Sequence, residues 1–456
     1  MSREISLPQG GRDGTVRRLQ ATRFVRSVGQ GALFVLFTLY MKDLGWSAAA
    51  LGLLFSIGGL FTSTTDWFVG MVCDRVGRKI FLLLHETMML LSAVVLLCVE
   101  DVRLLAAASL LLGYGRAQSG VPSGASAAEQ AWLAERVPPA ERGGVFSSNS
   151  ALGFFGMGLG SVLAGAAPWI GQYLPGTLAY RPFFILAALG ALINLSMLWS
   201  AVETYKGARF GPGASRPDAE GAGAGRAERD RADEERRTLI ERIAGPNATP
   251  EEIRRKENGI MLRMALINGL NGFAIGLTGP LLVYWFNLKF GAGPGALGPV
   301  YALTYVVTGL ASLWTGKLTE RVGIVRAVVT VRLASVIALV LVPLMPTFTL
   351  ASVVHVLRSA LARGSIGARR ALAVNLVRDE RRGLASGINN ISAQFPQALG
   401  PSIAGAFIAA GEMAMPFFIG AAMQFLYGTL YGAAFGPYDV TSREPRSKRS
   451  PGPSAA

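Results

Sequence analysis

Charge is what this sequence has least of for its length. Only 16% of its 456 residues are Asp, Glu, Lys or Arg, against 51% hydrophobic and a mean hydropathy of +0.39. A soluble chain of this size needs far more charge to cover its surface. Cysteine is scarcer still, with Cys73 and Cys98 alone. They fall near opposite ends of neighbouring apolar segments, too far apart to bridge, and they form neither a disulfide framework nor a paired-cysteine metal site. The two histidines, His85 and His355, are equally uninformative as catalysts. His85-Glu86 lacks the second histidine four residues on that a metalloprotease helix needs. No serine sits in a glycine elbow with a plausible triad. Neither an enzyme nor a bound cofactor is expected. The first twenty residues carry Arg3, Arg12, Arg17 and Arg18 and hold no apolar core, so no cleavable signal peptide is expected.

What the chain does have is long apolar blocks, such as Leu104–Ala117 and Ala414–Phe435. About 20 apolar residues in a helix match the hydrocarbon core of a bilayer. Spans are expected at about 22–42, 48–71, 79–99, 103–124, 144–167 and 181–203, then 261–288, 295–316, 324–343, 347–370, 384–410 and 412–436. The result is an all-α membrane protein of twelve transmembrane helices in two six-helix bundles, 22–203 and 261–436. Residues 1–21, 204–260 and 437–456 are left as polar tail, linker and tail. The formal charge of +15 does not point to nucleic acid, because the arginines lie between spans instead of along one stripe. Alternate connections are rich in them and the others poor, which places both termini in the cytoplasm by the positive-inside rule.

The linker is Gly/Ala/Pro-rich over Gly211–Gly225 and dense in charge over Arg226–Lys256. On either side of it the chain repeats itself. Gly70-Met-Val-Cys-Asp74-Arg75-Val-Gly77 closes the second span, and Gly316-Lys-Leu-Thr-Glu320-Arg321-Val-Gly323 closes the eighth. Arg142-Gly143, Gly160 and Gly165 match Arg382-Gly383, Gly400 and Gly405 at one constant offset. Two parallel copies joined by a cytoplasmic linker are the plan of a two-lobed transporter.

The first copy continues into Arg78-Lys79. Glycine, three residues, Asp-Arg, any residue, glycine and two basic residues resemble the signature loop of the major facilitator superfamily, and with topology and repeat the resemblance covers nearly the whole chain. Gly70 lets another helix approach closely, and Gly77 permits a tight turn. The resemblance implies that Asp74 meets the positive N-terminus of span eleven when the transporter is open to the outside. It also implies a charge network of Asp74, Arg78 and an acid at the end of span four, a place held by Glu129, thirteen residues after Arg116. The second copy departs: Ile324 stands where Arg78 maps, and Arg369 maps onto Glu129, so a direct Glu320–Arg369 pair is expected there.

Ionisable groups inside spans default to functional hypotheses. Arg116-Ala-Gln-Ser-Gly120 resembles the arginine motif that superfamily members carry on span four, and Arg358 in span ten is nearly its repeat partner. By the same resemblance spans one, four, seven and ten line the cavity, so Arg26 and Arg363 either join it or snorkel to the surface. Guanidinium groups suit carboxylate or phosphate. His355 on a cavity helix is a further candidate. Proton coupling needs an acid in the membrane, which leaves Asp66, on one face with Gly70 and Asp74, and Glu86, also open to a structural ion pair.

Span five, with Gly153, Gly156, Gly158, Gly160 and Gly165, resembles the glycine motif of the drug:proton antiporter branch but lacks its Gly-Pro step. The leading expectation is proton-coupled efflux of an amphiphilic small molecule by a monomer in a bacterial-type inner membrane, contacted by lipid. The runner-up is symport or exchange of an organic anion. A receptor without transport is the reading from another class.

Overall fold

The computed structural model describes residues 9–112, 126–137, 142–201, 249–364, 369, 372, 376–377 and 381–439. Arg116 lies outside them, as do the surroundings of Gly70, Asp74, Arg75, Gly316, Glu320 and Arg321. The described residues are helical and contain no strand. Among the described residues, eight helical segments are long and apolar enough to cross a membrane.

The first half consists of α1 (Gln9–Asp43), α2 (Ala48–Val76), α3 (Arg78–Cys98), α4 (Val102–Leu112), α5 (Ser126–Arg136), α6 (Arg142–Ala164), the single turn α7 (Ala167–Ile170) and α8 (Arg181–Trp199). The second consists of α9 (Pro250–Thr278), α10 (Leu282–Phe290), α11 (Pro294–Val322), α12 (Ile324–Leu344), α13 (Phe348–Gly364), α14 (Arg382–Ala409) and α15 (Met415–Phe435). They follow the order of the twelve expected spans, with α4 at the start of span four, α5 beyond residue 124 where that span was expected to end, and α9 and α10 as the parts of span seven.

Three boundaries differ from expectation. Helix α1 begins at Gln9, not at 22, so the polar tail is helical from that residue on. Helix α9 begins at Pro250, not at 261. Thr249 and Glu252 form a reciprocal capping box and Pro250 sits in the first turn, which starts a helix inside what reads as linker. Span seven is broken between Thr278 and Leu282, where Pro280 has no N–H to continue the ladder.

The repeat is visible in the turns. Gly77 and Gly323 both have positive φ, 108° and 94°, and each opens a helix of 21 residues, α3 and α12. Only glycine takes that backbone without strain.

The face carrying Gln9, Pro250 and Asp439 is called proximal here, and the opposite face distal. At the distal end the halves are locked together. A Cβ on Gly52 of α2 would overlap the Pro401 carbonyl of α14, and one on Gly405 the Ala48 carbonyl. The Ser402 N–H donates to Ser56 Oγ at 2.9 Å, and Lys42 Nζ donates to Asn287 Oδ1 across the halves. Between α6 and α11 the fit loosens stepwise away from that end. A Cβ would stand 2.6 Å from the Ser161 carbonyl at Gly298, 3.5 Å from the Ala302 carbonyl at Gly158, and 3.8 Å from Phe154 Cβ at Gly309.

Candidate functional site

Each half buries an ionic cluster, and the two are built differently. In the first half α1 carries Arg26 into the bundle at 4% exposure. Its Nε donates to Glu86 Oε1 of α3 at 2.5 Å, and its Nη1 to Glu129 Oε2 of α5 at 2.7 Å. Asn194 of α8 donates to the other Glu86 oxygen at 3.2 Å, and Asn149 of α6 to the other Glu129 oxygen at 2.8 Å. Five helices therefore converge on one guanidinium, and all four carboxylate oxygens accept a hydrogen bond.

This arrangement corrects two expectations. Arg26 neither snorkels nor joins an open cationic cavity, because two carboxylates enclose it. Glu129 lies inside helix α5 and turns its carboxylate to Arg26 and Asn149, where a partnership with Arg78 was expected. Glu86 is buried and ion-paired, the structural alternative that the sequence left open for it. Asp66, by contrast, is half-buried on α2.

Signature-loop residues with described surroundings tie helices together at the proximal face. Lys79 Nζ donates to the backbone carbonyls of Trp199 and Ala201, at 2.7 and 2.9 Å, where α8 ends and its dipole is negative. At the equivalent place in the second half the signs reverse. The Asp439 carboxylate accepts the Val325 and Arg326 N–H groups, both at 3.0 Å, at the positive start of α12.

The second half holds a cavity of about 720 Å³, counting the space at its mouth. Arg332 of α12, His355, Arg358 and Arg363 of α13, Arg369, and Gln424 of α15 line it, with Thr278 and Gly279 at the break in span seven. Phe34 of α1 reaches across from the first half and packs edge-to-face on Tyr301, centroids 5.0 Å apart. No Asp or Glu lines the cavity among the described residues.

Among the described residues no carboxylate pairs with the cations there. Arg358 donates from Nη2 to Thr278 Oγ1 at 3.1 Å, but its Nε has no partner. Arg332 is 1% exposed, with Nε and Nη1 unpaired and its guanidinium 5.5 Å from the Tyr427 ring. Arg369 faces the same ring at 6.0 Å and donates to the Tyr427 hydroxyl at 3.3 Å, with Nε unpaired. The Arg363 guanidinium lies 5.8 Å from the Tyr305 ring, with Nη1 unpaired. His355 Nδ1 and both amide atoms of Gln424 are buried without partners. Buried polar groups are normally satisfied, and buried cations without a counter-charge are costly. These residues all line one space.

Arg358, Arg363 and His355 were expected near a cavity, and the fold brings them together. Arg369 was expected to answer Glu320, yet its described partner is Tyr427. Arg332, Tyr427 and Gln424 escaped the sequence reading. An arginine amid the apolar run of span nine was the available signal for Arg332.

Residues 21–246 and 264–455 match the Major Facilitator Superfamily. The chain belongs to that superfamily. A bacterial homologue of the human lysosomal transporter Spinster, solved inward-facing and occupied, superposes with a TM-score of 0.66 at 14% identity, covering 96% of this chain and all of that one. The nucleoside transporter NupG gives 0.65 at 12% identity, over 92% of this chain and 100% of that one. By sequence, an uncharacterised membrane protein of Saccharomyces cerevisiae is 21% identical over 398 residues, 86% of this chain and 87% of that protein. This major facilitator is an integral multi-pass membrane protein and a solute transporter, not an enzyme.

Proposed function

We propose that this major facilitator carries a small organic anion by alternating access, binding it in the cavity lined by Arg332, Arg358, Arg363 and Arg369. One observation carries the reading: four guanidinium groups with unpaired N–H groups face a single space that no described acid neutralises. An anion entering it satisfies donors that otherwise cost stability, and the planar forks suit carboxylate or phosphate. With the termini in the cytoplasm of a plasma membrane, as the loop charges favour, the locked distal end is the outer one and the cavity is loaded or emptied inward. Asp74, Arg75 and Arg78, with Glu320 and Arg321 in the second copy, serve as the loops that hold the opposite state. The protein acts as a monomer.

Counterflow of labelled organic anions in proteoliposomes tests this. Exchange that is saturable and lost in Arg358→Gln supports it. Exchange of neutral or cationic solutes alone sinks it.

Proton-driven efflux of an amphiphile, as in the drug:proton antiporter branch, is the second reading. Glu86 and Glu129 favour it, as two buried carboxylates sharing one arginine, and Asp66 remains the other candidate carrier. An imposed pH gradient decides. Accumulation abolished by Asp66→Asn assigns coupling to that residue, and accumulation abolished by Glu86→Gln assigns it to the Arg26 cluster. Wild-type indifference to the gradient leaves anion exchange.

A further inference from the structure

The two ionic clusters occupy equivalent places in the repeat, with their charges inverted. Gly77 and Gly323 are 246 residues apart, and the same step from Glu86 lands on Arg332. Each of these is the ninth residue of its 21-residue helix, α3 or α12. Gly160 and Gly400 are 240 apart, and that step takes Glu129 to Arg369 and Asn149 to Asn389. The register is also physical. Gly31 packs against Met157 just as Gly276 packs against Gln397, 240 residues on, which makes Gly31 and Gly276 partners and sets Asn271 opposite Arg26. In the first half, then, two carboxylates flank the Arg26 guanidinium, with Arg23, also buried, one turn away on α1. In the second, two guanidiniums stand where the carboxylates were, and a neutral amide stands where the arginine was.

We infer that the solute carries at least two negative charges, and that it supplies in the second half the pair of anionic groups that Glu86 and Glu129 supply in the first. This rests on the anion reading above and goes beyond it by fixing the valence and the contact points. One acidic group meets Arg358, held by Thr278 and flanked on its own helix by Ser359, His355 and Arg363. The other meets Arg332 and Arg369, which bracket the Tyr427 ring, with Gln424 one turn away on the same face of α15. The charge count points the same way. A monoanion leaves three of the four cations uncompensated, and unpaired buried charge is what a transporter of this build must discharge on binding. The Gln424 amide, fully buried with oxygen and nitrogen both free, serves as an uncharged recognition group beside the second pair.

The test is ligand stabilisation of the purified full chain at constant ionic strength, with butyrate and succinate as a matched mono- and dicarboxylate. Succinate should stabilise at a concentration at least tenfold lower than butyrate. Arg332→Gln and Arg369→Gln should each weaken succinate at least tenfold more than butyrate and so erase that advantage, while Arg358→Gln should weaken both acids. Arg332→Glu should raise the melting temperature of the empty protein and abolish succinate stabilisation, because the missing charge is then built in. Equal potency of the two acids, or equal loss of both in Arg332→Gln, overturns the two-point inference and leaves the anion reading standing. If neither acid, nor inorganic phosphate, stabilises the protein, the anion reading falls and takes this one with it.

Discussion

The two halves share one framework and differ in how they satisfy charge. In the first, Arg26, Glu86 and Glu129 are mutually paired and capped by Asn149 and Asn194, so both buried carboxylates are satisfied with no guest and only Arg26 Nη2 of that guanidinium is left without a partner. In the second, Arg332, Arg358, Arg363 and Arg369 face a cavity and leave N–H groups idle. A repeated fold can hold one bundle as a rigid reference and leave the other electrostatically unfinished. The unfinished half is the one expected to change most when a solute arrives.

The sharpest way to break this contrast is to remove one arginine from each side. Arg26→Met should cost about 3–5 kcal/mol, the usual scale for stranding the partners of a buried ion pair. Arg332→Met should leave the melting temperature of the empty protein unchanged or raise it, because no carboxylate is stranded. Thermal unfolding in detergent compares the two, and equal losses would remove the distinction between the halves.

Next in size is Arg358→Gln, which should weaken anion binding by about 1.5–3 kcal/mol, the range for a hydrogen bond to a charged group. Lysine should restore only part of this, since it cannot make a two-pronged contact. Titration of the purified variants measures both, and full rescue by lysine would argue for a point charge in place of a fork.

Two smaller effects probe the ends of the bundle. Asp74→Asn should slow transport while leaving the protein folded, by removing a helix-dipole contact worth about 0.3–1 kcal/mol. Initial flux rates report it. Lys42→Ala removes the donor to Asn287 at the distal seal and should shift the conformational balance by about 1 kcal/mol or less. Labelling of a cysteine placed at Ser56 should quicken modestly, and an unchanged rate would assign the seal to the glycine contacts alone.

Much of the architecture is legible in the sequence, because a bilayer imposes its thickness on every span and its sidedness on every loop. Arg358, Arg363 and His355 were legible as site residues for the same reason: a charge in an apolar run is conspicuous. Arg332 is as conspicuous, but it lies on span nine, outside the four spans that the resemblance assigns to the cavity. The partnership of Arg26 with Glu86 and Glu129 was not legible. It joins positions 60 and 103 residues apart through the packing of α1, α3 and α5, and spacing along the chain carries no trace of that. The early start of α9 was readable in principle from Thr249-Pro250-Glu251-Glu252, a capping box inside a charged run that otherwise resembles linker.

The graded fit of α6 against α11 has a mechanical meaning. Tight at Gly298 and slack by Gly309, it behaves as a fulcrum near one end of a lever. Helix α11 has 29 residues and so extends roughly 43 Å at 1.5 Å per residue. Each degree of rocking about the distal contact then sweeps the far tip through about 0.7 Å. A tilt of a few degrees, within the compliance of glycine-lined surfaces, is enough to admit or exclude a water molecule at the proximal mouth. Replacing Gly298 with a bulkier residue would move the fulcrum, and with it the throw of the gate.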